Sequence, residues 1–453
     1  MSKGVQIIAT LGPATSKESD LRKMKAKGVD FVRANMSHSS HDDLRYFIAL
    51  AKKVGLPFIV DTEGSQIRTG PLAESTMAFR EGDEMLIHAA EVIGDRQNIS
   101  LRPGRIIGQL EPGDLLHVDF ESLILRVTDT REAANGYVAA QAITGGRLGS
   151  NKAVVVDSAM PKEFDLPPLS EKDDKSVEIG LEEGVGYIAA SFMRNGAFVD
   201  AVRRATKGAM KIISKIECID ALKHLDEIIE KSDAILIDRG DLSKEIPIEK
   251  IPFAQKIIIA HARRRQKPVF VATNLLETMV EKNRPTRAEV HDVIATVLDG
   301  AEGVTLASET AIGKYPMECV DMMQKLLRNA ALALEHSHSE FAAADLALVD
   351  RLEQAGYLFD DGAGDTLIPP HGGRLVDRVM RKPPEAAYIA ALPRVLLNSD
   401  LEMDAEQIAT GVFSPLEGFM GRRDTVSVLE TARLTNGVIW PIPIVLDVPF
   451  SVA

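Results

Sequence analysis

Eight short runs of apolar, mostly β-branched residues recur in the chain, at 5–11, 29–36, 57–61, 187–192, 211–216, 234–237, 268–273 and 304–306. Between most of them lie stretches with helical patterning, such as 220–230 and 252–265. A run that is apolar at nearly every position, instead of every second one, has no face to give to water. Such strands belong to parallel sheets covered on both faces, and the intervening helices are what covers them. Eight βα units are the number that closes on itself. The predicted class is therefore α/β, and the predicted architecture is a (β/α)8 TIM barrel built from residues 1–70 and 156–338.

The rhythm breaks after Gly70. Residues 71–155 read as short strands with turn signals at Glu81-Gly82-Asp83, Glu111-Pro112-Gly113-Asp114, Asn135-Gly136 and Gly145-Gly146, the pattern of successive hairpins. We read this stretch as a small β-barrel domain inserted after the third strand. An Ala-rich helix follows the eighth strand. Residues 339–365, which contain Asp-Asp-Gly-Ala-Gly-Asp, read as a linker to a third module at 366–453.

The formal net charge of −13 repels phosphate-rich polymers and anionic surfaces at long range, so neither nucleic acid nor membrane is an expected partner. Cys218 and Cys319 are the only cysteines, and neither falls in a Cys-x-x-Cys or Cys/His ligand spacing. No disulfide framework or structural zinc is expected. The first ten residues hold one Lys and no long apolar run, and no stretch approaches the ~18 apolar residues of a membrane span. A cytoplasmic protein is expected.

In a parallel barrel the chemistry sits where strands end, so the residues closing each run matter more than those inside it. The second run closes with Arg33-Ala34-Asn35-Met36-Ser37-His38, and the third with Asp61-Thr62 followed by Gln66-Ile67-Arg68. The fifth closes with Lys215-Ile216-Glu217, the sixth with Asp238-Arg239-Gly240-Asp241 and the seventh with Thr273-Asn274. Glu217 and Asp241 are hard oxygen donors without a neighbouring His or Cys, a set that suits Mg2+ or Mn2+. Lys215 shares its side of the strand with Glu217 and can neutralise charge building on a phosphoryl group or an enolate oxygen. Arg33 and Arg68 offer fork donors for phosphate. Each motif also has a plainer reading: Lys-x-Glu as a surface ion pair, Arg-Gly-Asp as a turn, Asn-x-Ser as a loop hydrogen bond. Both cysteines read as packing residues. Joint placement at successive strand ends favours one site over several unrelated features.

These segments resemble the pyruvate kinase family over residues 1 to about 330. The resemblance extends to Ile8-Ala9-Thr10-Leu11-Gly12-Pro13-Ala14-Thr15, Ile67-Arg68-Thr69-Gly70, Pro285-Thr286-Arg287-Ala288-Glu289 and Gly313-Lys314-Tyr315-Pro316. It implies transfer of the phosphoryl group of phosphoenolpyruvate to ADP, giving pyruvate and ATP, in a homo-oligomer. It also implies that Glu217 and Asp241 hold Mg2+ or Mn2+, that Lys215 assists transfer, and that Thr273 lines the face where enolpyruvate is protonated. Asn35, Ser37, Asp61 and Thr62 resemble the family's K+ ligands. Arg33, Lys215, Gly240, Asp241 and Thr273 resemble its substrate contacts, the backbone of Gly240 and Asp241 serving the substrate carboxylate. Asn35, His38, Arg68 and Lys152 resemble its nucleotide contacts, and the resemblance implies that the inserted β-barrel is a lid domain that closes to exclude water.

Several positions depart from the family pattern. Asp-Thr-Lys-Gly-Pro-Glu-Ile-Arg reads here as Asp61-Thr62-Glu63-Gly64-Ser65-Gln66-Ile67-Arg68, and neutral Gln66 leaves K+ dependence open. The lid's Asp-Asp-Gly becomes Asp119-Phe120-Glu121, and Ser-Gly-Glu-Thr becomes Ala307-Ser308-Glu309-Thr310. Asn274 replaces Gln, and Asp238 stands where a small residue is common. At the C-terminal end, Leu367-Ile368-Pro369-Pro370-His371-Gly372-Gly373, Phe413-Ser414-Pro415-Leu416-Glu417-Gly418-Phe419-Met420 and Trp440-Pro441-Ile442-Pro443-Ile444 resemble the N-terminal, PUA-like domain of ATP sulfurylase, in a form that reads as shortened. The sulfurylase pattern Gln-x-Arg-Asn-x-x-His does not occur, so that activity is not expected. Two expectations remain: an active pyruvate kinase, or a non-catalytic or weakly active sensor of phosphoenolpyruvate or nucleotide linked to sulfur metabolism.

Overall fold

Gln6–Thr10, Phe31–Asn35, Phe58–Asp61, Tyr187–Ala190, Lys211–Ile216, Ala234–Asp238, Val269–Ala272 and Gly303–Leu306 form a closed, all-parallel eight-stranded barrel. Each strand lies on one of the runs read from the sequence. Closure is made where the first strand pairs with both the eighth, Ile7 beside Val304, and the second, Thr10 beside Arg33. The computed structural model of the protein describes residues 4–119, 122–158, 164–336, 348–354, 399–410, 413, 416–438 and 444–445. The chain divides into two units, Met1–Leu358 and Phe359–Ala453.

Side chains alternate along a strand, so each strand gives one set to the surrounding helices and the other to the barrel axis. Ile7, Val32, Val60, Ile188, Ile212, Ile235, Val271 and Val304 pack with helix residues such as Leu21, Leu44, Ile258 and Val297. Ile8, Ile59, Ala189, Ile213, Leu236, Phe270 and Ala272 form a separate cluster on the axis. The axis is therefore plugged by apolar side chains, each worth about 1.5–3 kcal/mol when fully buried if large. Gly303 belongs to this packing: a Cβ there would lie 2.2 Å from the Phe270 ring.

The helices are fixed by local chemistry. His41–Val54 starts at Ser40, whose hydroxyl accepts from the Asp43 amide while Asp43 reaches back, and it stops at Gly55 with φ 71°. Glu171–Glu182 starts at Ser170 in the same way, and its Asp173 also accepts from the amides of Glu63 and Gly64 at 2.8 and 3.0 Å. That carboxylate ties the loop after the third strand to the helix before the fourth. The stretch 252–265 is the helix Ile251–Arg264, whereas 220–230 is split into Ile219–Lys223 and Leu225–Lys231 because His224 leaves helical geometry.

Between the third and fourth barrel strands, short strands from Arg68–Thr69 to Val154–Asp157 build a mixed seven-stranded sheet and a two-stranded ribbon. They have their own core, including Ile87, Ile99, Leu101, Leu116, Leu125 and Val138. Gly113 and Gly136, at two of the predicted turns, take φ values of 99° and 92°, which side-chain-bearing residues avoid.

After the eighth strand comes the helix Pro316–His336. Within the stretch read as a linker, residues 348–354 are helical, Val349 is buried, and Asp350 and Glu353 pair with Arg264 and His261. An apolar anchor, the pairing of Arg264 with Asp350 and Glu353, and the contact of Glu353 with His261 thus hold this part of the linker stretch on the barrel unit. In the second unit the helices Ser399–Thr410 and Arg422–Thr431 are described, with a small core of Leu416, Met420, Val428 and Leu434. The motifs at 367–373 and 440–443, and Phe120 and Glu121, lie outside the described residues. Among the described residues no helix is long and apolar enough to cross a membrane.

Candidate active site

The alternation that puts Ile8, Ile59, Ile213 and Leu236 on the axis puts Thr10, Asp61, Lys215 and Asp238 there one step later, with Arg33 following Phe31. The apolar plug is thus capped by a polar layer at the C-terminal ends of the strands. Arg33, Asp61, Ser191, Lys215, Glu217 and Asp238 are all buried there. Buried charge is tolerated only when it is paired. Arg33 donates from Nε to Thr10 Oγ1 at 2.8 Å, and its Nη1 lies 2.7 Å from Asp61 Oδ2. Lys215 Nζ lies 3.0 Å from Glu217 Oε2, 3.3 Å from Asp238 Oδ2 and 3.6 Å from Asp61 Oδ1, and it donates to Ser191 Oγ at 3.0 Å.

Three carboxylates against two cations leave this dry layer one negative charge in excess. Burial alone would favour neutral Lys215, but Asp61, Glu217 and Asp238 outweigh it and hold the ammonium well above the ordinary lysine range. Burial pushes the Glu217 carboxyl up to about 8 in spite of Lys215, with Asp241 and Asp238 adding repulsion. Asp238 goes the other way: burial is outweighed by Lys215, the Thr273 hydroxyl and Arg33, which hold it below the usual aspartate value. Lys-x-Glu here is no surface ion pair, since both side chains are almost wholly buried.

Asp241 lies on the short helical turn Arg239–Leu242, half-buried, with Oδ1 2.6 Å from Lys244 Nζ. Thr273 donates to Asp238 Oδ1 at 2.7 Å and sits at φ 75°, an unusual backbone for a β-branched residue. Arg239 holds it there, donating from Nη2 to the Thr273 carbonyl at 2.9 Å while pairing through both terminal nitrogens with Asp292. Gly240 leaves room for this contact, because a Cβ would come 2.6 Å from Thr273 Cγ2. Among the described residues, Glu217, Asp238 and Asp241 offer carboxylate oxygens that all lie within 4.8 Å of one another. Glu217 Oε2 is buried, with Lys215 Nζ 3.0 Å away. Oxygen donors without sulfur or imidazole, gathered in one buried group, and an excess of negative charge together fit a hard divalent cation.

The remaining sequence candidates lie around this layer. Asn35 pairs in register with Asp61, and its Oδ1 accepts from the Ser37 amide at 2.9 Å. Thr62 is buried, with Oγ1 accepting from the Ser191 amide. The Asp61 oxygens face Arg33 and Lys215, whereas Gln66 Oε1 is buried without a hydrogen-bond partner. His38 is exposed. Arg68 donates to the Asn151 carbonyl at 3.0 Å, and Lys152 pairs with Asp119 at 2.7 Å, both in the inserted sheet region. No hydrogen bond or ion pair joins His38, Arg68 or Lys152 to the Lys215 layer among the described residues. Ser308, near the altered eighth-strand motif, is exposed, while Glu309 is buried and accepts from the Ala307 and Leu276 amides. The sequence placed Asp238 among the strand-end residues without giving it a role, and Ser191 and Thr10 were not assigned to the site.

Residues 2–320 match the family described as pyruvate kinase, barrel domain, and residues 368–453 match one described as PUA-like domain. The chain is 32% identical, over its whole length, to a pyruvate kinase of Methylorubrum extorquens, of which it covers 95%. It is 38% identical, over 74% of its length, to a human pyruvate kinase, of which it covers 61%. The crystal structure of a pyruvate kinase from Cryptosporidium parvum matches 73% of the chain, covering 70% of that protein, with a TM-score of 0.66 and 30% identity. With a closed parallel barrel and an ionic mouth, these relationships define a barrel phosphotransferase. The chain belongs to the pyruvate kinase family.

Proposed function

We propose that the chain transfers the phosphoryl group of phosphoenolpyruvate to ADP, giving pyruvate and ATP, at the mouth of the barrel. The observation that carries this reading is the buried, charged Lys215 set among Asp61, Glu217 and Asp238 at 3.0–3.6 Å. An ammonium already desolvated and fixed in place costs no reorganisation when negative charge gathers on a transferring phosphoryl group or an enolate oxygen. Glu217 and Asp241 are the proposed holders of Mg2+ or Mn2+, which when bound supplies positive charge to offset the phosphoryl oxygens.

Arg33, Gly240 and the Asp241 backbone bind and orient the three-carbon substrate, and Thr273 presents its hydroxyl to the face where enolpyruvate gains a proton. Arg239 keeps that hydroxyl in place through the Thr273 carbonyl. Asn35, His38, Arg68 and Lys152 serve the nucleotide. Asn35, Ser37, Asp61 and Thr62 are the proposed K+ ligands, all of them oxygen donors. The lid, residues 71–155, closes over the barrel of residues 1–70 and 156–338 and excludes water. We place the protein in the cytoplasm as a homo-oligomer.

One contact favours the second reading, a weakly active sensor: Lys152 is engaged by Asp119 within the lid. A coupled assay of pyruvate formation, run over a panel of nucleoside diphosphates with Mg2+ or Mn2+ and with or without K+, separates the two. Diphosphate-dependent pyruvate that disappears in Lys215→Met supports transfer. Phosphoenolpyruvate binding without pyruvate from any nucleotide leaves only the sensor.

A further inference from the structure

Asp238 closes the sixth barrel strand at a position where a small residue is common in the family motif. Its carboxylate is buried and doubly engaged, accepting from Thr273 Oγ1 at 2.7 Å and facing Lys215 Nζ at 3.3 Å. It is also one of three carboxylates, with Glu217 and Asp241, whose oxygens lie within 4.8 Å of one another. An octahedral ion with oxygens at about 2.1 Å places opposite ligands about 4.2 Å apart. Oxygens within 4.8 Å of one another are of that order of separation.

A second observation points to a cation beyond Lys215. An ammonium has three protons to donate, yet Lys215 faces four acceptors: Ser191, Glu217, Asp238 and Asp61. Demand exceeds supply. The charge count points the same way: Asp61, Glu217 and Asp238 are three buried carboxylates against the two cations Arg33 and Lys215. A buried negative charge left over in this way is costly unless another cation meets it.

We propose that Asp238 is a third carboxylate ligand of the divalent ion held by Glu217 and Asp241, so that this chain binds the ion firmly before substrate arrives. The inference rests on the proposed role of Glu217 and Asp241. Three carboxylates cancel the charge of a divalent ion more fully than two and tighten its binding. Engagement of Asp238 by the ion also relieves Lys215 of one counter-charge, turning the ammonium toward the substrate. The competing role is simpler: Asp238 is a counter-ion of Lys215 and a hydrogen-bond acceptor for Thr273, and nothing more.

The test is a titration of the full chain with Mn2+ in the absence of phosphoenolpyruvate, free Mn2+ being read by electron paramagnetic resonance. Asp238→Asn keeps the size and an acceptor for Thr273, and thermal melting checks its fold. Asp238→Ala provides a second variant with the smaller side chain. Both are expected to weaken Mn2+ binding by at least about tenfold, the scale on which metal sites respond to lost oxygen partners. Unchanged or tighter binding in both, while Glu217→Gln loses the ion, overturns the role of Asp238 and leaves the Glu217–Asp241 site standing. Unchanged binding in Glu217→Gln as well overturns the site itself.

Discussion

Replacing Lys215 with Met keeps a side chain of similar reach and removes the charge at the centre of the mouth. At an effective dielectric of about 20, one pair of unit charges at this separation is worth about 5 kcal/mol, and Lys215 faces three carboxylates at 3.0–3.6 Å. Most of that attraction offsets the cost of taking the ammonium out of water, and losing one side of a buried pair typically costs about 3–5 kcal/mol. Burial already pushes the Glu217 carboxyl up to about 8, so its protonation softens the loss. A net cost near the lower end, about 3 kcal/mol, is expected. Denaturant unfolding of the two proteins with chelator present, followed by circular dichroism, measures it. Pyruvate formation should fall by at least about a hundredfold, as when a preorganised charge is removed. A Met variant as stable as its parent, with phosphoryl transfer undiminished, would refute the reasoning.

Gly240→Ala places a Cβ 2.6 Å from Thr273 Cγ2, and overpacking of this kind costs about 1–3 kcal/mol; unfolding should show a loss of that size, and kcat should fall because Thr273 is displaced. Asp173→Ala removes the acceptor for the amides of Glu63, Gly64 and Ser170; unpaired buried donors make a loss of about 3 kcal/mol the expected calorimetric result. Burial raises the Asp233 carboxyl, but the Ile212 amide and Arg203 outweigh it and hold it below the usual value. Its contribution is therefore present above the ordinary aspartate pKa and lost as pH falls through the lowered one. Asp233→Asn should accordingly cost about 1 kcal/mol at neutral pH and progressively less as pH falls through the lowered value, a difference read from thermal melts.

The barrel was legible because strands buried on both faces cannot hide: each is a continuous apolar run, and eight of them leave few alternatives. That same continuity concealed part of the site. In Ala234-Ile235-Leu236-Ile237 both faces are apolar, so nothing local says which face looks inward, and the inward turn of Asp238 depends on the register against Val269 and Ala272. Lys215 and Glu217 were easier, since a charged pair two residues apart after an apolar run announces one shared face. Contacts set by long-range closure, such as Arg33 with Thr10 across the first and second strands, leave no local trace. The pairing of Lys152 with Asp119 is of the same kind: it needs two distant strands of the inserted sheet to meet.

The account turns on whether phosphoenolpyruvate is gripped through a divalent ion at this mouth. Crystals grown with phosphoenolpyruvate and Mn2+, measured at a wavelength where manganese scatters anomalously, test that directly. The expected result is one strong anomalous peak between the carboxylates of Glu217 and Asp241, with the phosphate of the substrate against Lys215. A mouth empty of both, or manganese bound elsewhere with those carboxylates apart, would contradict it.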